Sequence, residues 1–456
     1  MKLWYALLLV AFSLQAGACI VPGEHGGAKD QGSRRHAQKR DSIQSPTASA
    51  GSAEPTFTEI PYGKGDRFRK GRSAPISSGL RGIARAHGDD VRHFRPPERT
   101  YHNRHLEGLA IGDPRVFILG GIHARERGGP DHVLYFLADL LTARALDTGL
   151  RYGDVTYTNE QVRDVLTAGL VVLPLANPDG AAWDQRTNSC WLKNRNASGR
   201  AAGGRPGVGV GVDLDRNFAY LWDYKRLFNA TPGFVTAASD DPKSDMFHGS
   251  APLSEAETRN VAWVLRRYRW RLAWFVNLHS FSGSVLYGWG DGDVQTTDSR
   301  QSFTNASYDG TRGIPMLGHD DADDGSTGSG GAPYGEFMEA DDLHAEKTAA
   351  ERMRSAMTRV GATAYEALPL SWVMASSGSC VDQARGPYYA RECGAARVHG
   401  LVVEFGGPSA SPACPFYPDA AAYHDSVRQV AVGLMELLLT AAEKTGDGRE
   451  PKMHLC

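Results

Sequence analysis

"RVFILGGIHARERGGP", residues 115–130, runs from an apolar strand candidate through two glycines into His123 and Glu126, and Pro130 then opens a helical pattern. Three more runs share its character: "GLVVLPLA" (169–176), "RLAWFVNL" (271–278) and "GLVVEF" (400–405). They are apolar without strict alternation, as strands covered on both faces are. Helical stretches over 130–146, 254–268, 343–365 and 419–444 alternate with them, and "SEAE" (254–257) reads as a capping box. Strands alternating with helices predict an α/β domain with a buried, mixed or mostly parallel sheet and helices on both faces.

The chain has 456 residues, 41% of them hydrophobic, enough for a sizeable core. Its formal charge of -2 gives no reason to expect nucleic acid or an anionic membrane as partner. Lys2, the apolar stretch "LWYALLLVAFSL" and the small residues ending at Ala18 read as an export signal over 1–18, too short for a comfortable membrane span. No later stretch holds 18 uncharged apolar residues, so no transmembrane segment is expected. Secretion is the reading, with lipid attachment at Cys19 the weaker one. Residues 19–56 are polar and low in aromatics, which predicts disorder. One domain is expected over 57–445, followed by a tail over 446–456, and nothing in the pattern asks for more than a monomer. The six cysteines form no CxxC, so disulfides are expected, with Cys380–Cys393 a local candidate. Sequons at Asn196, Asn229 and Asn305 fit a glycosylated chain. The acidic stretch 318–333 lacks the ligand spacing of a calcium loop and reads as a solvated loop.

Polar residues collect where the apolar runs end. Ligands bind beyond the carboxyl ends of strands in open α/β sheets. "VFILGG" leads into His123 and Glu126, "LAWFVNL" into His279, and "GLVVEF" carries Glu404. Two histidines and a glutamate are a zinc donor set that leaves a fourth position open, and a further glutamate can serve as general base. With fifteen histidines in the chain, the His-x-x-Glu spacing alone is weak. Each residue also has a plain structural reading: a turn histidine, a helix-start carboxylate, a strand-end histidine, a glutamate paired with an arginine. Their coincidence at corresponding strand ends favours the metal site.

"GGIHARE", "NPDG", "GVDLDRNF", "NLHSFSGSVLYGWG", "SSGSCVD" and "LVVEFG" occur in an order that resembles the zinc carboxypeptidases of the carboxypeptidase A type, over roughly residues 85–440. The resemblance implies a single domain with a central mixed, mostly parallel twisted sheet of about eight strands. It implies one Zn²⁺ held by His123, Glu126 and His279, with Glu404 as general acid/base, and the C-termini of peptides or proteins as substrate. Arg125 matches a residue that holds substrate upstream of the scissile bond, and Arg216 the one that pairs with the terminal carboxylate. A planar guanidinium suits that task, because it binds carboxylates bidentately. Val381 falls where side-chain preference is set, which implies apolar or aromatic C-terminal residues. About 38 residues precede the domain, fewer than a large inhibitory propeptide needs.

Three positions depart from the family pattern. Leu192 stands where an arginine polarises the scissile carbonyl, a loss worth roughly 10²–10³ in rate. Lys193 or Arg195 are the candidates to reach in. Asp215 replaces an asparagine beside Arg216, either repelling the substrate carboxylate or pairing with Arg216. Met374 replaces a pocket tyrosine, for which Trp372, Tyr388 and Tyr389 are candidate substitutes. The alternatives to a carboxypeptidase are a catalytically impaired binding protein and a zinc amidohydrolase acting on N-acyl amino acids.

Overall fold

The computed structural model describes residues 74–197, 210–231, 236–313, 334–373, 375–409, 414–446 and 452–454. The chain divides into Met1–Gln44 and Ser45–Cys456, and every described residue lies in the second unit. The signal segment, residues 19–56, the 318–333 stretch and Met374 fall outside the described residues.

Apart from single helical turns, the elements are α1 (Ala74–His87), β1 (Val91–Phe94), β2 (Gly108–Ile111), β3 (Val116–Gly120), α2 (Gly129–Ala145), β4 (Leu150–Tyr152), β5 (Val155–Tyr157), α3 (Asn159–Ala168), β6 (Leu170–Leu173), α4 (Pro178–Thr187), α5 (Ala256–Arg267), β7 (Trp274–His279), β8 (Ser284–Tyr287), β9 (Asp293–Gln295), β10 (Gly335–Phe337), α6 (Ala340–Arg359), β11 (Glu366–Pro369), α7 (Cys380–Tyr389), β12 (His399–Glu404) and α8 (Ala420–Gly446). Eight strands form one sheet in the order β1-β2-β6-β3-β7-β12-β8-β11. The central run β6-β3-β7-β12 is parallel; β2 joins β6, and β8 joins β12, antiparallel. This is the mixed sheet of the sequence reading, and its four central strands are the four apolar runs.

Side-chain alternation sorts the core into two layers. Val116 and Ile118 of β3, Trp274, Val276 and Leu278 of β7, and Leu401 and Val403 of β12 face one layer, packed with residues of α1, α2, α3, α6 and α8. Phe117, Leu119, Phe275 and Val402 face the other, against α5 and α7. Phe117 and Phe275 meet edge to face at 5.3 Å on that second face. The parity has a functional consequence: Asn277, His279 and Glu404 also belong to the second face.

Three expectations need correction. Ser254 does not form a capping box: α5 starts at Ala256, and no side chain of its own first turn caps it. Asn217, distant in sequence, accepts from the Glu255 N–H (3.2 Å) and the Thr258 hydroxyl (2.8 Å), while Ser254 Oγ donates to Glu255 Oε1 (2.8 Å). The helix expected over 343–365 begins at Ala340 and stops at Arg359, with β11 from Glu366. Gln429 on α8 ends it by donating to the carbonyls of Met357 (3.0 Å) and Thr363 (2.7 Å). Cys380 is not bonded to Cys393: it is a buried free thiol, Cys190 pairs with Cys414, and Cys393 is itself in a disulfide. Residues 452–454, inside the segment expected as a tail, are described next to the domain. They lie beside 394–397, with an Ala396–Met453 bridge and hydrogen bonds from Gly394 to His454 and from Arg397 to Lys452. Among the described residues no helix is long and apolar enough to cross a membrane.

Two measurements check this packing. Phe275→Ala removes a fully buried ring and is expected to cost about 3–5 kcal/mol in chemical denaturation, whereas Leu146→Ala, at a 66% exposed position, is expected to stay within about 0.5 kcal/mol. Glu257, buried on α5, is pushed up to about 8 by burial, with Glu255 and Asp179 adding to it. The folded state therefore binds the extra proton. Stability is fully present below the ordinary glutamate range and falls as pH rises through about 8. Glu257→Gln should flatten that slope in pH-dependent thermal unfolding; an unchanged slope would contradict the assignment.

Candidate metal centre

His123 and Glu126 sit on the loop that leaves β3, and "NPDG" holds that loop. Asn177 donates its backbone N–H to Gly121 O (2.9 Å) and its side-chain amide to Ile122 O (3.1 Å). Its Oδ1 accepts from Gly180 N (2.8 Å), capping α4. Ala124 N donates to Leu192 O (2.9 Å) from the other side. Gly121 has φ +59, and a Cβ there would lie 2.9 Å from Leu175, so the first turn of the loop needs glycine.

His279 ends β7 and Glu404 ends the adjacent parallel strand β12, with their Cα atoms in register. The loop from β3 arrives at the same sheet end. The outcome is a compact donor set: His123, Glu126 and His279 are buried and offer ligand atoms within 4.8 Å of one another. His123 Nδ1 donates to Glu126 Oε1 at 2.7 Å and His279 Nδ1 to Oε2 at 3.0 Å. Outward, His123 Nε2 meets Asp213 Oδ1 at 3.0 Å, and His279 Nε2 lies 3.4 Å from Asp215 Oδ2.

Electrostatics follow from that packing. Burial alone would depress the His123 pKa, but Glu126 and Asp213 outweigh it and hold it at about 9. His279 is raised well above its ordinary value against the same burial, by Glu126 and Asp215. Glu126 is lowered, the two imidazoles outweighing its desolvation. Asp215 is lowered to about 2, burial again being outweighed, here by the hydrogen bond and charge of His279. Glu404, partly open to solvent at the rim, is pushed up to about 7 by desolvation of its carboxyl, with His279 opposing and Glu126 reinforcing.

The residues fit zinc. Two imidazole nitrogens and a carboxylate converge, and both imidazoles have a carboxylate at the outer nitrogen, the arrangement that fixes the metal-binding tautomer. A divalent cation bound here would displace the protons of the imidazole nitrogens that face Glu126.

The remaining expected residues are placed as follows. Arg125 is 3.0 Å from Asp245 and stacks at 4.4 Å over Phe416. Arg216 is buried, with Nε donating to Ala237 O (3.0 Å) and Nη1 to Asp215 O (2.9 Å). Gly378 (φ +67) lets the "SSGSC" turn press on it, since a Cβ there would fall 2.6 Å from Arg216 O. Val381 is in the second core layer, against Gly400. The Asp215 carboxylate turns Oδ2 to His279 and accepts from the Cys380 N–H through Oδ1 at 2.8 Å, while the Arg216 charge adds to the lowering of its pKa. Leu192 gains no substitute from its neighbours. Lys193 Nζ is held by the carbonyls of Pro242 and Ser244 (2.8 Å each), and Arg195 lies between the rings of Trp183 and Trp191. Tyr388 and Tyr389 bond Glu339 and Asp342 at the start of α6, and Trp372 bonds Asp293. Asp213, Asn277 and Cys380 are the contacts that sequence reasoning missed. All three lie inside motifs that carry the resemblance: Asp213 in "GVDLDRNF", Asn277 in "NLHSFSG" and Cys380 in "SSGSCVD".

Among the described residues, the α/β sheet carries at its carboxyl end one donor set suited to a single metal ion, which defines the class. The sequence model of the zinc carboxypeptidases matches residues 80–390, and the chain belongs to that family. Carboxypeptidase B of Astacus astacus is 30% identical over 196 residues, 42% of this chain and 55% of that one. Zinc carboxypeptidase A 1 of Anopheles gambiae is 32% identical over 42% of this chain and 38% of its own. These matches span about half or less of the relatives' lengths. Carboxypeptidase A from Helicoverpa armigera superposes with a TM-score of 0.55 at 19% identity, covering 82% of this chain and 74% of that one. Bovine thrombin-activatable fibrinolysis inhibitor superposes at 0.56 and 16%, covering 81% and 96%. These two show the fold.

Elemental analysis of the purified protein should find one zinc per chain, and His279→Ala should leave it substoichiometric with its far-ultraviolet circular dichroism intact. Full zinc occupancy in that variant would contradict the donor set.

Proposed function

We propose that the chain is a zinc-dependent metallocarboxypeptidase that hydrolyses C-terminal peptide bonds. The observation that carries this reading is the convergence of His123, Glu126 and His279 beside Glu404 on one face of the sheet. Zinc held by the three donors supplies Lewis acidity toward the scissile carbonyl and toward water.

The other groups belong to the protein itself. Glu404 stands in register with His279, and a carboxylate raised toward neutrality suits proton transfer from the attacking water to the leaving amine. Arg216 is the proposed anchor of the substrate's terminal carboxylate. Its bonds to two backbone carbonyls fix the guanidinium in place, so little side-chain freedom is lost on binding. Arg125, flanked by both loop ligands and leaning on Phe416, is the proposed contact for residues upstream of the scissile bond. Val381, at the position where the family sets side-chain preference, supports apolar or aromatic C-terminal residues. Leu192 leaves one polarising donor fewer, which predicts slower turnover than an arginine-bearing site by roughly 10²–10³. The signal-like N-terminus supports an extracellular site of action on peptide or protein C-termini, as a monomer.

A peptide library digested with and without chelator and read by mass spectrometry tests the reading. Metal-dependent loss of single C-terminal residues is expected. Glu404→Gln should lower kcat by at least about 10²-fold, the scale of general-base removal, while retaining zinc. Arg216→Ala should act mainly through KM for free-carboxylate peptides. Hydrolysis confined to N-acyl amino acids would move the assignment to an amidohydrolase, and no turnover in a zinc-loaded protein would leave a binding protein.

A further inference from the structure

We infer that Asp215 is a positioning residue for the metal, giving His279 the outer carboxylate that Asp213 gives His123. The inference rests on the zinc reading of the site, and concerns a position where this chain departs from its family.

The geometry is that of a clamp with one fixed end. Cys380 is the first residue of α7, and its N–H donates to Asp215 Oδ1 at 2.8 Å. Backbone N–H groups at a helix start have no partner within the helix, and they favour an anion. With one oxygen held there, the other is aimed at the sheet end, 3.4 Å from His279 Nε2. Asp215 is buried, so water competes poorly for either oxygen. Across the site, Asp213 makes the matching contact on His123 (3.0 Å) and uses the same Oδ1 to accept the Asp215 N–H (3.0 Å). Asp213 and Asp215 lie two residues apart on one turn and thus address the two imidazoles as a pair.

The Asn277 amide is the competing neighbour, 2.5 Å from His279 Nε2 and 3.0 Å from the Cys380 sulfur. Its Oδ1 is buried without a partner. Turned so that the oxygen meets the ring, the amide accepts beside Asp215, and the pair leaves Nδ1 of His279 for the metal. An asparagine at 215 could keep the bond to the Cys380 N–H, but it would bring no charge to the ring. The carboxylate is what distinguishes this chain.

The test is zinc affinity, measured by chelator competition on the full-length protein, without reference to activity. Asp215→Asn should weaken zinc binding by about 10–100-fold, as loss of an outer-shell partner does, and Asp213→Asn should fall in the same range. Asp215→Asn within twofold of wild type overturns the proposal. A second measurement needs no variant. In the zinc-loaded wild type, two exchange-protected imidazole N–H resonances shifted strongly downfield are expected, one from each histidine; a single one, from His123, also overturns it. If wild-type protein binds no zinc, the metal reading itself fails, an outcome distinct from an insensitive Asp215→Asn.

Discussion

Glu126 divides its two oxygens between two imidazoles, 2.7 Å from His123 and 3.0 Å from His279, and much of the molecule serves to keep that arrangement dry and fixed. A buried charge cluster is unfavourable unless geometry satisfies it fully. The satisfaction here is layered. Each imidazole nitrogen facing inward meets Glu126, and each facing outward has a carboxylate within reach. Those carboxylates are held in turn by backbone N–H groups of Asp215 and Cys380. Two shells of alternating donors and acceptors connect the centre to one 3₁₀ turn and one helix start.

The sheet makes such a centre possible. A parallel pair brings the ends of β7 and β12 together at equal height, so His279 and Glu404 become neighbours although 124 positions separate them (404 minus 279 is 125, less one). Alternation then decides the face. Phe275, Asn277 and His279 point the same way, as do Val402 and Glu404, and a one-residue slip in either strand would send its acid or its histidine into the opposite layer. The large apolar residues of β3, β7 and β12 are thus part of the site's construction: burial of Trp274, Val276, Leu401 and Val403 on the other side sets the register.

Legibility from sequence followed the range of the interactions. The four central strands read clearly because each is apolar along its whole length, a local property. The donor residues read clearly because they stand immediately after those runs. Edge strands β1 and β11, with exposed residues such as Arg92 and Glu366, carry no such run and were missed. The capping box is absent because α5 begins one residue later, with Glu255 at its N-cap and its N–H given to Asn217, some forty residues away, and the α6 terminus differs because Gln429 on another helix ends it. The same limit explains Asp215. Its neighbour in sequence is Arg216, and sequence adjacency suggested pairing or repulsion at the substrate carboxylate. Its neighbours in space are His279 and Cys380, brought there by the sheet end and by the helix that follows the "SSGSC" turn.

That difference alters how the family departures are understood. Leu192, Asp215 and Met374 first look like three independent losses from a substrate pocket. Leu192 and Asp215 are instead tied to the metal loop and its ligand. The Leu192 carbonyl braces Ala124 between the ligands, a backbone contact independent of the side chain at 192, which is buried. Asp215 meets His279 and the Cys380 N–H. In the proposed carboxypeptidase, the donor set is complete while fewer groups remain to hold and polarise a substrate. The proposed recognition residues are Arg216, fixed by the Ala237 and Asp215 carbonyls, and Arg125, steadied by Phe416 and Asp245. Both arginines are oriented by neighbours before any ligand arrives, and preorganisation of that kind is how a site with few contacts can still discriminate.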